Sequence, residues 1–226
     1  MPKKIRLGIF GGGGDSLIGV LHRVASYIND NYEIVGGVFN AQYEESLAFA
    51  KEIDIPTDRI YKDIDDFVTS ENQLPEEERI QVCSVLTPNF LHFPMAKTLL
   101  ENGFHVICEK PLTTNYEEAK ILQQTLQAAK KVFAVTHTYT GYPMVRQMRE
   151  MIKEGVLGKI HKVDAQYYQG WINGIIHDKE KRSTVWRLDP KKAGISSCMG
   201  DIGVHAFNMI EFTTGLQVKS ILCDFN

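Results

Sequence analysis

Cysteine is scarce and unpaired in pattern: Cys83, Cys108, Cys198 and Cys223 lie far apart, with no Cys-x-x-Cys among them. That excludes a disulfide framework and a zinc ribbon as first readings, and Cys83 and Cys108 sit in apolar runs where a small thiol is ordinarily core. Long apolar runs are also missing. None approaches the ~20 residues that span a bilayer, and the basic start at Lys3, Lys4 and Arg6 leads into glycines and Asp15, too soon for a signal-peptide core. The expectation is a cytoplasmic protein with no membrane partner. Charge of one sign is lacking as well, because 25 Lys+Arg face 28 Asp+Glu for a net charge of −3. Without a basic excess or cluster to neutralise phosphates, nucleic acid is not an expected partner. Internal repeats and low-complexity segments are absent. What remains is a chain of 226 residues, 43% hydrophobic and 10% aromatic, enough to bury a core in one large domain or in one domain plus a smaller second.

Periodicity organises the first part. Ile5 to Phe10 is a short apolar run, followed by Gly11 to Gly14 and then a helical spacing of Ile18, Leu21, Val24 and Ala25. Further strands are expected at Tyr32–Phe39, Ile80–Leu86, Phe104–Cys108 and Val132–Thr136. Helices are expected at Glu44–Glu52, near Ile64–Thr69, from Asn89 to about Asn102, and at Tyr116–Lys130. Strands alternating with helices imply right-handed crossovers and a parallel sheet covered on both faces. Residues 1–136 therefore read as a doubly wound α/β domain of the Rossmann type. The pattern then changes: a helix at Met144–Glu154, a strand at 159–168, a long irregular stretch, a helix at Asp201–Thr213 and a strand at Val218–Phe225. Residues 137–226 read as an incomplete α+β domain, since two strands alone make a marginal sheet.

The glycine run lies where a dinucleotide fold turns tightly from its first strand and brings backbone N–H groups and a helix N-terminus to a pyrophosphate. Gly11 and Gly13 fit the first two positions of Gly-x-Gly-x-x-Gly, Ser16 occupies the third and Gly19 follows, so an enlarged loop through Gly14 is expected. The acidic residue that would bind a ribose at the end of the second strand is replaced by Asn40, with no arginine beside it for a 2′-phosphate. Either NAD or NADP fits.

Three features fall at expected strand ends: Thr87-Pro88-Asn89 with His92, Glu109-Lys110-Pro111, and His137. Proline after Lys110 restrains that lysine to an extended conformation. In Gly200-Asp201-Ile202-Gly203-Val204-His205 an acid and a histidine stand at i and i+4, on one face of a helix. A carboxylate beside an imidazole suits a general base, although the same spacing also serves a surface ion pair or, with a third ligand, a metal site.

Together these elements resemble the Gfo/Idh/MocA oxidoreductases, the group that includes glucose-fructose oxidoreductase and inositol dehydrogenase. The resemblance runs over essentially the whole chain, through the Gly11 loop, Thr87-Pro88-Asn89 with His92, Glu109-Lys110-Pro111, Trp186-Arg187-Leu188-Asp189-Pro190 and Asp201 with His205. It implies hydride transfer between a nicotinamide cofactor and a hydroxyl or carbonyl of a sugar or polyol. Lys110, Asp201 and His205 would be catalytic. Gly11, Gly13, Gly14, Asn40, Thr87, Asn89, His92, Glu109 and Lys110 would bind cofactor, and Tyr139, Trp171, Trp186 and Arg187 could meet substrate. No metal is implied. Members typically continue past this point into an open sheet that often mediates homo-oligomers, so the resemblance makes this chain a C-terminally truncated member. A non-catalytic dinucleotide-binding module and a metal-dependent enzyme using Asp201 and His205 are the competing readings.

Overall fold

The structure is a computed structural model and describes residues 3–224. The chain divides into two compact units, Met1–Thr136 and His137–Asn226.

Unit 1 alternates strands and helices: β1 (Ile5–Gly11), α1 (Leu17–Ile28), β2 (Tyr32–Val38), α2 (Tyr43–Glu52), α3 (Ile64–Glu71), β3 (Val82–Leu86), α4 (Asn89–Glu101), β4 (His105–Cys108), α5 (Tyr116–Ala129) and β5 (Phe133–Val135). The strands form one parallel sheet in the order β2-β1-β3-β4-β5. Alternation along β1 sends Leu7 and Ile9 to one face and Phe10 to the other, so each face nucleates its own core. Leu7 and Ile9 bury with Ile34, Phe39 and Phe49, while Phe10 buries with Phe67, Val85, Phe104 and Val106. Phe10 and Phe67 meet edge to face at 4.8 Å. Each such fully buried side chain contributes roughly 1.5–3 kcal/mol relative to exposure. Local signals agree with this packing. Ser16 caps α1 by accepting from the Gly19 N–H, Asp63 caps α3 and Asn115 caps α5.

Because β2 lies on one side of β1 and β3 on the other, the chain reverses its direction of travel at β1. The C-terminal ends of β1 and β3 therefore flank the crevice where open α/β sheets take ligands. The glycine loop follows β1, Thr87-Pro88-Asn89 follows β3, and Glu109-Lys110-Pro111 follows β4.

Unit 2 holds α6 (Pro143–Lys153), the short helices α7 (Lys179–Thr184) and α8 (Pro190–Ala193), and α9 (Val204–Thr214), with single-turn segments between them. Helix α6 packs on α9, with the Arg149 guanidinium 4.4 Å over the Phe212 ring. The strands expected at 159–168 and 218–225 are not formed among the described residues, and Phe225 lies outside them. A strand needs a partner ladder for its N–H and C=O groups, and neither segment finds one. The expected Asp201–Thr213 helix also differs. Met199–Gly203 winds as a wider π turn and α9 begins at Val204. Gly200 and Gly203 weaken α-helical preference there, and π turns recur at functional sites.

Among the described residues no helix is long and apolar enough to cross a membrane.

Candidate active site

The loop after β1 is shaped by backbone that side chains rarely adopt. Gly11, Gly12 and Gly14 have φ of +80°, +71° and +54°. Helix α1 reaches the loop at Gly19, where an added Cβ would lie 1.8 Å from the Gly12 carbonyl oxygen. Glycine is therefore needed at 19 for close helix–loop approach, three residues after the position where the usual spacing expects it. The next turn of α1 fastens the same point, because Arg23 Nη1 donates to the Gly12 oxygen at 2.8 Å. A Cβ at Gly11 would meet Leu86 and Thr87 at 3.1 Å, so the loop lies directly beside the end of β3. The Gly13 N–H donates to the Phe39 oxygen at 3.2 Å, and a Cβ at Gly13 would lie 2.5 Å from the Asn40 amide. The structure thus brings Gly11, Gly13, Asn40 and Thr87 to one place. A cradle that any Cβ at 12 or 19 would fill, opening on a capped helix N-terminus, fits a dinucleotide pyrophosphate.

Two of the residues expected to line a cofactor are also held by side chains and carbonyls of other elements of unit 1. His92, on the first turn of α4, is buried; its Nε2 lies 2.8 Å from the Thr87 oxygen and its Nδ1 2.7 Å from the Pro111 oxygen, and the neutral ring donates its single N–H to one of the two. It joins the turn after β3 to the turn after β4. Burial pulls its pKa below the ordinary histidine value, opposed by the two carbonyls. Glu109 is likewise buried. Its Oε1 accepts from His22 Nε2 at 3.0 Å and from Thr136 Oγ1 at 2.7 Å, and its Oε2 from the Lys110 N–H at 3.2 Å. Burial would raise this carboxyl, but the bonds from His22 and Thr136 and the nearby imidazole hold it below its ordinary value. Lys110, between Glu109 and Pro111, is part-exposed, and Asn89 is buried at the start of α4.

In unit 2, His205 sits near the start of α9, buried beneath aromatic rings. Tyr139 meets it at 4.6 Å between centroids, Tyr167 at 6.1 Å and His137 at 6.4 Å. The Tyr139 and Tyr167 hydroxyls share a hydrogen bond of 2.5 Å. That bond, reinforced by burial and by neighbours including the Asp201 carboxylate, pushes the Tyr139 phenol up to about 12. An apolar cavity of about 690 Å³ runs from this cluster along α6 and α9, lined by Met148, Ile152, Leu157 and Met209. Of the residues expected to meet substrate, Tyr139 packs on His205. Trp186 and Arg187 stack on each other at 4.5 Å, and Trp171 stands on its own turn with its indole N–H bonded to Gln169. Tyr167, His22 and Thr136 were not expected. Only the contact itself exposes them, because a tyrosine in a strand-like segment, a histidine in a helix and a threonine at a strand end carry no distinguishing pattern. Among the described residues no group of three or more His, Cys, Asp or Glu side chains is placed to hold a metal.

A glycine loop of this geometry at a sheet's reversal point defines a dinucleotide-binding domain of the Rossmann type. Residues 5–137 match the model of the oxidoreductase family with NAD-binding Rossmann fold, and residues 145–226 match the Gfo/Idh/MocA C-terminal domain. The chain belongs to the Gfo/Idh/MocA oxidoreductase family. It is 32% identical over 227 residues to the uncharacterized oxidoreductase YfiI of Bacillus subtilis, covering 99% of this chain and 57% of that protein. It is 32% identical over 141 residues to levoglucosan dehydrogenase of Pseudarthrobacter phenanthrenivorans, covering 62% of this chain and 34% of that protein. Among solved structures, an inositol dehydrogenase homologue from Azotobacter vinelandii complexed with NAD+ superposes with a TM-score of 0.87 at 34% identity, over 95% of this chain and 55% of that one. The matches span between about a third and somewhat over half of the length of these relatives.

Proposed function

We propose that this chain serves an NAD(P)-dependent oxidoreductase that transfers a hydride between a nicotinamide cofactor and a hydroxyl or carbonyl of a sugar, polyol or related compound. The observation that carries the reading is the backbone contact of Gly12 with Gly19 beside Thr87, a cradle too close for any side chain. Residues 1–136 hold the cofactor, and residues 137–226 are the part of the substrate-binding and catalytic domain present here. Names of the relatives, an inositol dehydrogenase homologue and a levoglucosan dehydrogenase, support a polyhydroxylated substrate.

The nicotinamide, when bound, supplies the hydride acceptor or donor. Gly11, Gly13 and Gly14 admit the pyrophosphate, and Asn40, Thr87 and Asn89 border the same loop. Lys110 donates a hydrogen bond from Nζ to the reacting substrate oxygen, lowering the cost of charge that develops on it. His205 takes the hydroxyl proton on oxidation and returns it on reduction, and Asp201 orients its imidazole or binds a neighbouring hydroxyl. Tyr139 keeps the imidazole edge in place and offers a ring face to the substrate, with Trp171, Trp186 and Arg187 as further contacts. The protein is read as cytoplasmic, and association through the C-terminal domain into a homo-oligomer follows from the family reading.

The test is turnover. Across a panel of sugars and polyols with NAD+ and NADP+, at least one pair should produce reduced cofactor, and Lys110→Ala and His205→Ala should each abolish it with circular dichroism unchanged. Saturable cofactor binding with no turnover in any pair would leave a binding module in place of the enzyme.

A further inference from the structure

Both residues flanking Lys110 are held by buried or nearly buried histidines from different helices. Pro111 is held by His92 of α4 and Glu109 by His22 of α1. The second contact is the more informative, because α1 is the helix that closes on the glycine loop. Within it, adjacent side chains diverge: Arg23 bonds the Gly12 carbonyl at 2.8 Å, and His22 bonds the Glu109 carboxylate at 3.0 Å. That carboxylate holds the Lys110 backbone N–H through its other oxygen at 3.2 Å. A carboxylate only accepts, so His22 Nε2 must carry the hydrogen. Both side chains of the pair are little exposed, at 14% and 11%, where such a bond is weakly screened and orients its partners.

We propose that His22 is a positioning residue for Lys110, acting through Glu109 and tying the lysine turn to the helix that closes the cofactor loop. This rests on the oxidoreductase reading for its consequence, since a lysine held in register matters to the rate only if it meets the substrate oxygen. Displacing it by a fraction of an ångström should cost rate rather than substrate affinity.

The experiment compares His22→Ala with His22→Gln, whose amide can present an N–H near the place of Nε2, after circular dichroism has established that both fold. In 1H–15N spectra without cofactor, the Lys110 amide resonance is expected to move in His22→Ala and to lie near its original position in His22→Gln. An unmoved Lys110 resonance in His22→Ala overturns the brace whatever the protein catalyses. In turnover assays His22→Ala is expected to lower kcat roughly tenfold with KM for the polyol little changed, and His22→Gln to recover most of it. A loss confined to cofactor affinity, or equal loss in both variants, also overturns it. Absence of turnover in the unsubstituted protein counts against the oxidoreductase reading instead, and the spectra still decide the brace.

Discussion

The Nδ1 of His92 lies 2.7 Å from the carbonyl oxygen of Pro111 while its Nε2 lies 2.8 Å from that of Thr87, so one buried ring spans the ends of β3 and β4. Removing it would leave one carbonyl without its donor, take the ring away from the other, and open a void beneath the Lys110 turn. His92→Ala is therefore expected to cost about 2–4 kcal/mol of stability. Urea unfolding followed by circular dichroism measures this, and a loss near zero would mean the ring does not brace the two turns.

The glycine loop separates two kinds of glycine requirement. Gly19→Ala places a Cβ 1.8 Å from backbone at Gly12, and backbone cannot swing aside. It should cost about 1–3 kcal/mol and weaken NADH binding strongly. Gly14→Ala meets no protein atom and bears only its φ of +54°, a stability penalty of about 1 kcal/mol, so a loss of NADH binding beyond that reports the ligand at Gly14. Thermal melts and NADH fluorescence titrations on the pair read both effects.

Glu109 gives the fold a pH dependence whose sign is set. Its carboxyl titrates below the ordinary value in the folded chain, because His22 and Thr136 overcome burial. A depressed carboxyl contributes stability above its unfolded pKa, which is lost as pH falls through the ordinary carboxylate range toward the folded value. The urea midpoint should fall on acidification below about pH 5, and Glu109→Gln should remove that component of the slope while lowering stability at neutral pH.

At the other end of the pH scale, the Tyr139 phenol is pushed up to about 12, chiefly by its bond to Tyr167. Beside Tyr61, whose phenol is also raised by burial and by its bond to Glu71, phenolate absorbance during alkaline titration should show Tyr139 as a late-ionising tyrosine. Tyr167→Phe should bring that ionisation down toward the ordinary tyrosine value, and an unchanged titration would place the cause elsewhere.

Much of unit 1 was legible because its signals are local. Apolar runs of strand length, the glycines after β1, and the Thr87-Pro88-Asn89 and Glu109-Lys110-Pro111 breaks mark the strand ends within about two residues of where β1 to β5 stop. The direction in which a side chain points from those turns is not local. His92 and Glu109 stand in the expected places yet turn inward, because carbonyls and donors from other elements wait there. His22 and Tyr167 became visible only through their partners. In unit 2, residues 159–168 have a strand-like pattern, but a pattern forms a strand only against a neighbour, and none is supplied among the described residues. The Asp201-to-His205 spacing predicts a regular helix turn, whereas the flanking glycines let it widen into a π turn.

The most direct measurement is a paired titration of the folded protein with NADH and NADPH, followed by nicotinamide fluorescence, beside the Gly19→Ala variant. Saturable binding of at least one nucleotide, strongly weakened in Gly19→Ala, is the expected result. No saturable binding of either nucleotide by a well-folded sample, or equal binding by the variant, would contradict the glycine cradle as the cofactor site.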